Sequence, residues 1–271
     1  MEKCQILLAN DDGIQSPGLW AAAEALSELG YVTVAAPREQ SSGMGRSLPG
    51  NSDGIISSEV MRVGGKDWTV HAIGGSPAQA VLHGIMEIMP QPPDLVVSGI
   101  NYGENVGTGV TISGTVGAAL EAASHDIPAL AMSLETSREM HTSYSKDIDF
   151  SAAAWFTSYF ARLILEKHFP PDVDVLKVDV PALATPQTPW QITRVARQRY
   201  YEALRPNRKS WDKAGVVDYA EAAILNDDFK GTDVYVLRVQ KEVAVTPLSL
   251  DLTSRVDLEM LNRYLRNGVV M

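Results

Sequence analysis

The first 36 residues alternate between apolar and amphipathic segments, and this alternation restricts the fold more than any other feature of the chain. Residues 5–9 predict a short buried strand, which ends at the sequence NDDG at 10–13. Ser16-Pro17 has the pattern of an N-cap followed by proline at the first helical position, so a helix should begin there. Residues 31–36 predict a second buried strand. A strand, a helix and a strand over this length indicate parallel pairing with a right-handed crossover.

Alternating strands and helices continue along the chain. They predict a doubly wound, three-layer α/β fold of Rossmann-like type, with helices on both faces of a mostly parallel sheet. Apolar runs predict further strands at 57–63, 68–73, 94–98, 129–133 and 175–180. Helices are predicted from the capping box at 76–79 to about residue 89, from 113 to about 125, and over 149–168. The segments 38–54 and 99–109 are rich in small and polar residues and predict loops.

Composition changes in the last third of the chain. Residues 182–232 contain prolines, arginines and several large aromatic residues: Trp190, Tyr200, Tyr201 and Trp211. This composition favours an arm-like extension over a second compact domain, so we expect residues 1–271 to form a single domain that carries an arm. Residues 234–245 predict a strand, and residues 258–265 predict a C-terminal helix.

The overall composition limits the possible partners. The chain has 23 basic and 33 acidic residues and a formal charge of −10, which disfavours a long nucleic acid as a ligand. An anionic substrate would have to be attracted locally, by a metal, a helix N-terminus or a few cations. Cys4 is the single cysteine, as is typical of a cytoplasmic protein. The sequence has no run near the roughly 20 apolar residues of a membrane span, so no membrane contact is expected.

Polar residues follow several of the predicted strands, and ligands of open α/β sheets bind at this edge. Asp11 and Asp12 come directly after the first strand, and the loops 37–47 and 99–115 follow two others. Two adjacent carboxylates repel each other and are best explained by a bound cation. Because the nearby side chains offer oxygen rather than thiolate or a histidine cluster, magnesium or manganese is favoured over zinc.

Each of these signals also has a purely structural interpretation. Asp11-Asp12-Gly13 could be a turn with a helix cap, and a serine- and glycine-rich loop is usually just flexible. Ser113 could be an ordinary N-cap. Their coincidence at the ends of successive strands favours a site. Ser113 and Thr115 would place hydroxyls and free backbone amides at a positive helix end, where phosphate binds well.

The motifs, taken together and in order, resemble those of the SurE survival-protein family of 5′/3′-nucleotidases. The matching segments are LLANDDGI at 7–14, SPG at 16–18, AP at 36–37, QSSG at 40–43, VSGINYGEN at 97–105, SGTV at 113–116, VDVP at 178–181, TPL at 246–248 and DLT at 251–253. The similarity covers almost the whole chain. The chain departs from the family pattern at Arg38-Glu39 and at Ser41, on the rim that would face the substrate.

The resemblance implies specific roles for residues at the strand ends. It implies one divalent metal ion per subunit, Mg²⁺ or Mn²⁺, held by Asp11, Asp12, Ser42 and Asn101, with Asp11 and Asp12 as the catalytic residues. Ser42 is preferred over Ser41 because the family's ligand serine directly precedes the glycine, here Gly43. The positions that match phosphate-contacting residues are Asn105, Ser113, Gly114 and Thr115.

The implied reaction is hydrolysis of nucleoside 5′- and 3′-monophosphates to nucleoside and phosphate, with short polyphosphate as a further expected substrate. The family resemblance also implies a homodimer or homotetramer, with the arm and the C-terminal helix as contact elements. One alternative is an aspartyl-phosphate phosphatase of the haloacid dehalogenase type with Asp11 as nucleophile. That class expects acids separated by one residue, whereas here they are adjacent. Another alternative is a non-catalytic regulator that binds nucleotide in the same crevice.

Other polar residues are weaker candidates. Asn226-Asp227-Asp228 repeats part of the first motif but lacks the glycine that follows it, so a solvated loop is expected. The five histidines have no metal-ligand spacing and are expected to be structural or exposed: His71, His83, His125, His141 and His168. The arm's arginines could guide an anionic substrate or make subunit contacts: Arg197, Arg199 and Arg205.

Overall fold

The computed structural model describes residues 3–141, 144–145, 147–167, 169–222 and 229–267. Nine strands form the central sheet: β1 (Cys4–Ala9), β2 (Gly30–Pro37), β3 (Ile56–Val63), β4 (Lys66–Ile73), β5 (Leu95–Tyr102), β6 (Ala129–Leu134), β7 (Val175–Val180), β8 (Trp190–Ile192) and β11 (Val243–Leu248). Two further strands, β9 (Tyr201–Leu204) and β10 (Asp218–Glu221), pair only with each other, as an antiparallel ribbon. The helices are α1 (Pro17–Leu26), α2 (Pro77–His83), α3 (Gly114–Ala123), α4 (Ser151–Glu166), the short α5 (Asp233–Tyr235) and α6 (Leu258–Asn267).

The strand order in the sheet is β3-β4-β2-β1-β5-β6-β7-β11-β8. From β4 to β7 all neighbours are parallel, while β3 and β11 run antiparallel to β4 and β7. Helices α1 and α4 pack on one face of the sheet, and α2 and α3 pack on the other. The predicted fold class, a mostly parallel three-layer α/β structure, is therefore confirmed.

Strand β1 illustrates why the sheet is buried on both faces. Alternate side chains of a strand point to opposite faces. Ile6 and Leu8 join the core beneath α1 and α4, whereas Leu7 and Ala9 join the core beneath α2 and α3. All four side chains are fully buried. A continuous apolar run, rather than an alternating one, is what a central parallel strand requires.

Strand β5 extends further than the sequence predicted. The predicted loop at 99–109 begins only after Tyr102, since β5 continues through Gly99 and pairs with β6 on both sides of a register shift between Ser98 and Asn101. Gly99 has a φ of +131°, and a β-carbon there would lie 2.3 Å from the Met132 carbonyl oxygen. Only glycine fits this position, and the extension carries Asn101 to the carboxyl edge of the sheet.

The predicted strand at 234–245 was wrong in its first half. The Thr232 hydroxyl accepts a hydrogen bond from the Tyr235 backbone amide (3.3 Å) and caps α5, which continues as a π-helical turn over Val236–Gln240. Strand β11 begins only at Val243. This local capping outweighs the preference of the valines for a strand.

The described residues contain no helix that is long and apolar enough to cross a membrane.

Candidate active site

The acidic pair lies at the carboxyl end of β1, in a turn that the Asn10 side chain closes. Asn10 Nδ2 donates to the Gly13 carbonyl oxygen (3.0 Å), and Asn10 Oδ1 accepts from the Gly13 amide (3.1 Å). Because Asn10 is fully buried, this turn is anchored to the core. Asp11 and Asp12 are buried as well, although nothing in the turn itself requires carboxylates. Their identity therefore points to a chemical role.

Asp11 lies against the start of α3. Its Oδ1 accepts a hydrogen bond from the Thr115 hydroxyl (2.6 Å). A β-carbon at Gly114 would lie 2.6 Å from the Asp11 β-carbon, so the close approach of helix and carboxylate requires glycine. Thr115 is fully buried, and its hydroxyl supports Asp11 in this structure. Its assignment to phosphate stays a prediction that competes with this bond.

Asp12 is held from the opposite direction. Its Oδ2 accepts from the Tyr102 backbone amide at the end of β5 (3.1 Å), and its Oδ1 accepts from Gln40 Nε2 (3.3 Å). The Tyr144 hydroxyl donates to the Asp12 carbonyl oxygen (2.7 Å). Two separate segments thus fix the orientation of this carboxylate, and a third holds the backbone of Asp12.

The electrostatics of the pair are unfavourable without a further positive group. Burial raises the pKa of Asp11, and burial together with the charge of Asp11 holds the pKa of Asp12 well above its usual range. The groups that act in the opposite direction are neutral donors, chiefly the Thr115 hydroxyl at Asp11 and the Tyr102 amide at Asp12. A bound cation would stabilise both charged forms.

Ser42 is brought to the acidic pair by the loop after β2. The neighbouring Ser41 amide donates to the Asp11 carbonyl oxygen (2.7 Å), and the Gly45 amide donates to the Ile112 carbonyl oxygen (2.9 Å). Arg46 then pairs with the buried carboxylate of Glu121 on α3 at 2.6 Å. These contacts fasten the loop on both sides of Ser42, which lines the same cavity as Asp11.

Asn101 and Asn105 approach from the segment that follows Gly99. Asn101 Nδ2 donates to the Gly103 carbonyl oxygen (2.6 Å), so its side-chain oxygen is the atom with which it could bind a cation. Asn105 Nδ2 donates to the Ser133 hydroxyl (2.9 Å), and its backbone amide donates to Asp179 Oδ1 (2.8 Å). Both asparagines are therefore held in fixed orientations.

Ser113 begins α3, and its hydroxyl accepts from the Val116 amide (3.1 Å) as an N-cap. The helix has ten residues, so its start carries a partial positive charge, and the backbone amides of Gly114 and Thr115 interact there with the Asp11 carboxylate. This arrangement agrees with the structural interpretation of Ser113, and an anion bound beside Asp11 would share the positive end of the helix.

A cavity of about 820 Å³ unites these elements. Five of the eight predicted site residues line it: Asp11, Ser42, Asn101, Asn105 and Ser113. Asp12, Gly114 and Thr115 are buried next to Asp11, through the contacts described above. The eight predicted residues therefore lie close together, five at the cavity wall and three buried next to Asp11, and their roles stay a prediction.

Several other residues of the cavity wall were missed by the sequence interpretation. They include His141, which was expected to be structural or exposed, and Tyr201 and Tyr219 from the β9–β10 ribbon. Gln40 was also missed, although it connects Asp12 to the His141 carbonyl oxygen, the latter at 2.7 Å. The sequence signal for the ribbon was the alternation of residues along its two strands. The sequence interpretation placed both strands in the arm and did not predict that they pair.

Other candidates occupy different places. Arg197 and Arg199 line the cavity and are exposed, whereas Arg205 is exposed but does not line it. His168 and the sequence Asn226-Asp227-Asp228 lie outside the described residues. Within the described ranges, no three residues of the types His, Cys, Asp and Glu are grouped as a metal site. A cation at this edge would therefore need neutral oxygen ligands besides the two carboxylates.

The fold and the site together define a three-layer α/β protein with an acidic pair and a helix start at the carboxyl edge of its sheet. The family model described as survival protein SurE matches residues 6–202, and the chain belongs to this family. A relative from Thermococcus kodakarensis, named 5′-nucleotidase SurE, is 40% identical over 262 residues, which cover 96% of this chain and 98% of the relative. A relative of the same name from Archaeoglobus fulgidus is 42% identical over 261 residues, covering 96% and 97%.

Comparison of structures agrees with the comparison of sequences. The crystal structure of a SurE protein from Aquifex aeolicus superimposes with a TM-score of 0.74 at 31% sequence identity. The match covers 96% of this chain and 99% of that chain.

Proposed function

We propose that this chain is a metal-dependent nucleotidase that hydrolyses nucleoside 5′- and 3′-monophosphates to nucleoside and phosphate. The names of the relatives support the 5′-nucleotidase activity. The observation that carries the proposal is the placement of two buried, adjacent carboxylates beside a helix N-terminus in one cavity. Such a site combines a cation-binding part with an anion-binding part, and a phosphate monoester needs both.

The metal fits the residues that are present. Two desolvated carboxylates with neutral partners favour a divalent cation, and the hydroxyl of Ser42 and the amide oxygen of Asn101 complete a set of hard oxygen ligands. Asp11, Asp12, Ser42 and Asn101 would hold one Mg²⁺ or Mn²⁺ ion per subunit. When bound, the ion would supply Lewis-acid polarisation of a phosphoryl oxygen.

The protein's own groups position the phosphate and stabilise its charge. Ser113 and the start of α3 offer a hydroxyl and the positive end of a helix, and the backbone amide of Gly114 lies at this end, where it also interacts with Asp11. Asn105 offers its second amide hydrogen, since one is already used by Ser133. Thr115 orients Asp11 through its hydroxyl. In phosphoryl transfer, positioning and electrostatic stabilisation supply most of the rate enhancement.

The two alternatives are less well supported. A haloacid-dehalogenase-type nucleophile would need acids separated by one residue after the first strand, whereas Asp11 and Asp12 are adjacent. Membership of the SurE family accounts for the adjacent pair without that mechanism. A regulator without activity would not need two desolvated carboxylates beside the phosphate site, because phosphate binding alone is served by the helix end.

Three finer assignments belong to the same proposal. Short polyphosphate is a further substrate, since exposed cations from Arg197 and Arg199 line the cavity and can meet additional phosphate groups. The subunits form a homodimer or homotetramer, with exposed apolar residues such as Trp211 on the arm and Leu265 on α6 as contacts. The free thiol of Cys4 agrees with a reducing cytoplasm.

The experiment that tests the proposal is a substrate panel. Purified protein is incubated with 5′-AMP, 3′-AMP, other nucleoside monophosphates and tripolyphosphate, each with Mg²⁺, with Mn²⁺ and with a chelator, and free phosphate is measured. Metal-dependent phosphate release from both AMP isomers is expected. If no nucleotide releases phosphate with either metal while the protein is folded, the proposal is rejected.

A further inference from the structure

The ribbon of β9 and β10 presents one face to the active-site cavity. Directly opposed residues of an antiparallel pair point to the same side. Tyr201 opposes Glu221, and Tyr219 opposes Ala203, so these four side chains share a face. Tyr201, Ala203 and Tyr219 all line the cavity. The ribbon, which belongs to the arm at 182–232, therefore forms part of the cavity wall.

Three aromatic rings meet on this side: His141, Tyr201 and Tyr219, which we call the aromatic wall. The rings of His141 and Tyr219 are nearly parallel, with 15° between their planes and 6.3 Å between their centroids. Tyr201 stands edge-on to both, at 5.8 Å from His141 and 5.2 Å from Tyr219. Such edge-on packing keeps the three rings together as one surface.

The two tyrosine hydroxyls of the aromatic wall are used by the protein itself, and His141 Nε2 is buried without a hydrogen-bond partner. The Tyr201 hydroxyl donates to Glu104 Oε1 (2.9 Å), and the Tyr219 hydroxyl is 3.0 Å from His141 Nδ1. On the same ribbon face, Glu221 pairs with Arg238 at 2.5 Å and fastens the ribbon to the body of the protein. What the wall offers to a ligand is therefore ring surface rather than hydrogen-bonding groups.

The residues that line the cavity fall into two chemical groups. Asp11, Ser42 and Ser113 are suited to metal and phosphate, and the aromatic wall offers ring surface. A ligand that fills the cavity should carry an anionic end and a flat aromatic end. Nucleobases stack on aromatic side chains with little dependence on base identity, because every base has a π-face.

We propose that the aromatic wall is the nucleobase subsite of this enzyme, so that residues of the arm determine its preference for nucleotides over other phosphate monoesters. The inference rests on the nucleotidase proposal and adds to it a binding site for the nucleoside, which is the leaving group. It predicts that the enzyme accepts nucleotides with different bases but hydrolyses phosphate esters without an aromatic ring less efficiently. Tyr219 is the residue to change, because its hydroxyl and its ring can be removed separately.

The experiment compares Tyr219→Leu, Tyr219→Phe and, as a control in the arm, Trp211→Ala, whose side chain is 95% exposed. For each, kcat/KM is measured with AMP and with glycerol 2-phosphate, and adenosine binding to the metal-free protein is measured by calorimetry. Circular dichroism checks folding. Tyr219→Leu should lower the AMP-to-glycerol-phosphate ratio and the adenosine affinity about tenfold, whereas Tyr219→Phe and Trp211→Ala should keep both close to wild type.

Two results would overturn the subsite. One is a folded Tyr219→Leu variant with the wild-type ratio and adenosine affinity. The other is an equal loss in Tyr219→Phe, which would assign the effect to the hydrogen bond with His141. Failure of the nucleotidase proposal is distinguishable: the wild type would release no phosphate from AMP, yet would still bind adenosine in a manner that depends on the Tyr219 ring.

Discussion

Among the buried residues outside the active site, Lys177 is the one whose replacement should most reduce the free energy of unfolding. Its side chain is fully buried and contacts the carboxylates of Asp179 and Asp233, the latter at 3.3 Å. These carboxylates in turn accept the backbone amides of Asn105 (2.8 Å) and Gly107 (3.1 Å). Lys177→Met would thus leave two buried acids facing each other beneath the segment that carries a predicted phosphate ligand.

The size of the expected loss of stability follows from the burial of all three charged groups, Lys177, Asp179 and Asp233. Burial alone would lower the pKa of Lys177, but Asp179 and Asp233 outweigh this and raise the pKa, so the ammonium group is charged in the folded state. Removing one partner of a buried ionic group usually costs about 3–5 kcal/mol, because the remaining charge has no counterion. For a protein of this size that corresponds to a fall in Tm of about 10 °C.

The assay is urea denaturation followed by circular dichroism, with Lys241→Met as the matched control. Lys241 also pairs with a carboxylate, Glu135 at 3.0 Å, but its side chain is 57% exposed and Glu135 keeps a second partner in Arg238. The control should lose less than about 1 kcal/mol. A loss in Lys177→Met no larger than that of the control would refute the argument that the buried network stabilises the fold.

Three further predictions concern the site and the arm. Ser42→Ala should raise the metal concentration needed for activity, and excess metal should partly rescue it. Ser113→Ala should lower turnover about 100-fold, and excess metal should not rescue it. Metal titrations with the opposite pattern would reverse the two assignments. In the presence of a chelator, the Tm of the wild type should fall as the pH rises through the raised pKa of Asp11 and Asp12. A carboxyl whose folded pKa exceeds its unfolded value stabilises the fold only while it is protonated. A Tm that rises over this pH range would contradict the prediction. Replacing 205–217 by a short turn should reduce oligomer size in sedimentation, and an intact protein that is already monomeric at micromolar concentration would reject the assembly proposal.

The parts of the fold that depend on local signals were predictable from the sequence. The Ser76 capping box and the Ser113 N-cap both occur as predicted, since each depends on residues within one turn of the helix. The apolar runs placed the central strands, because a strand buried on both faces needs no pairing information to be recognised. With the strands in order, the meeting of Asp11 with Asn101 at one edge followed from topology.

The parts that depend on contacts between distant segments were not predictable. The Thr115 hydroxyl was assigned to phosphate, but it donates to Asp11, a choice set by how closely α3 approaches β1. The ribbon was interpreted only as part of an arm, because its register joins Tyr201 to Glu221 across a long connection that local sequence does not reveal. Lys177 lay in a predicted strand, and nothing in the sequence links it to its partner Asp233, which lies between the predicted arm and the next predicted strand.

The central claim is that the acidic pair binds the metal on which phosphate release depends. The most direct measurement is equilibrium dialysis with Mn²⁺ of the wild type, Asp11→Asn and Asp12→Asn, combined with AMP hydrolysis on the same samples. The account predicts one ion per subunit and activity in the wild type, and loss of both in each variant while the fold is retained. Unchanged binding of Mn²⁺, or near-normal turnover in both variants at saturating metal, would contradict it.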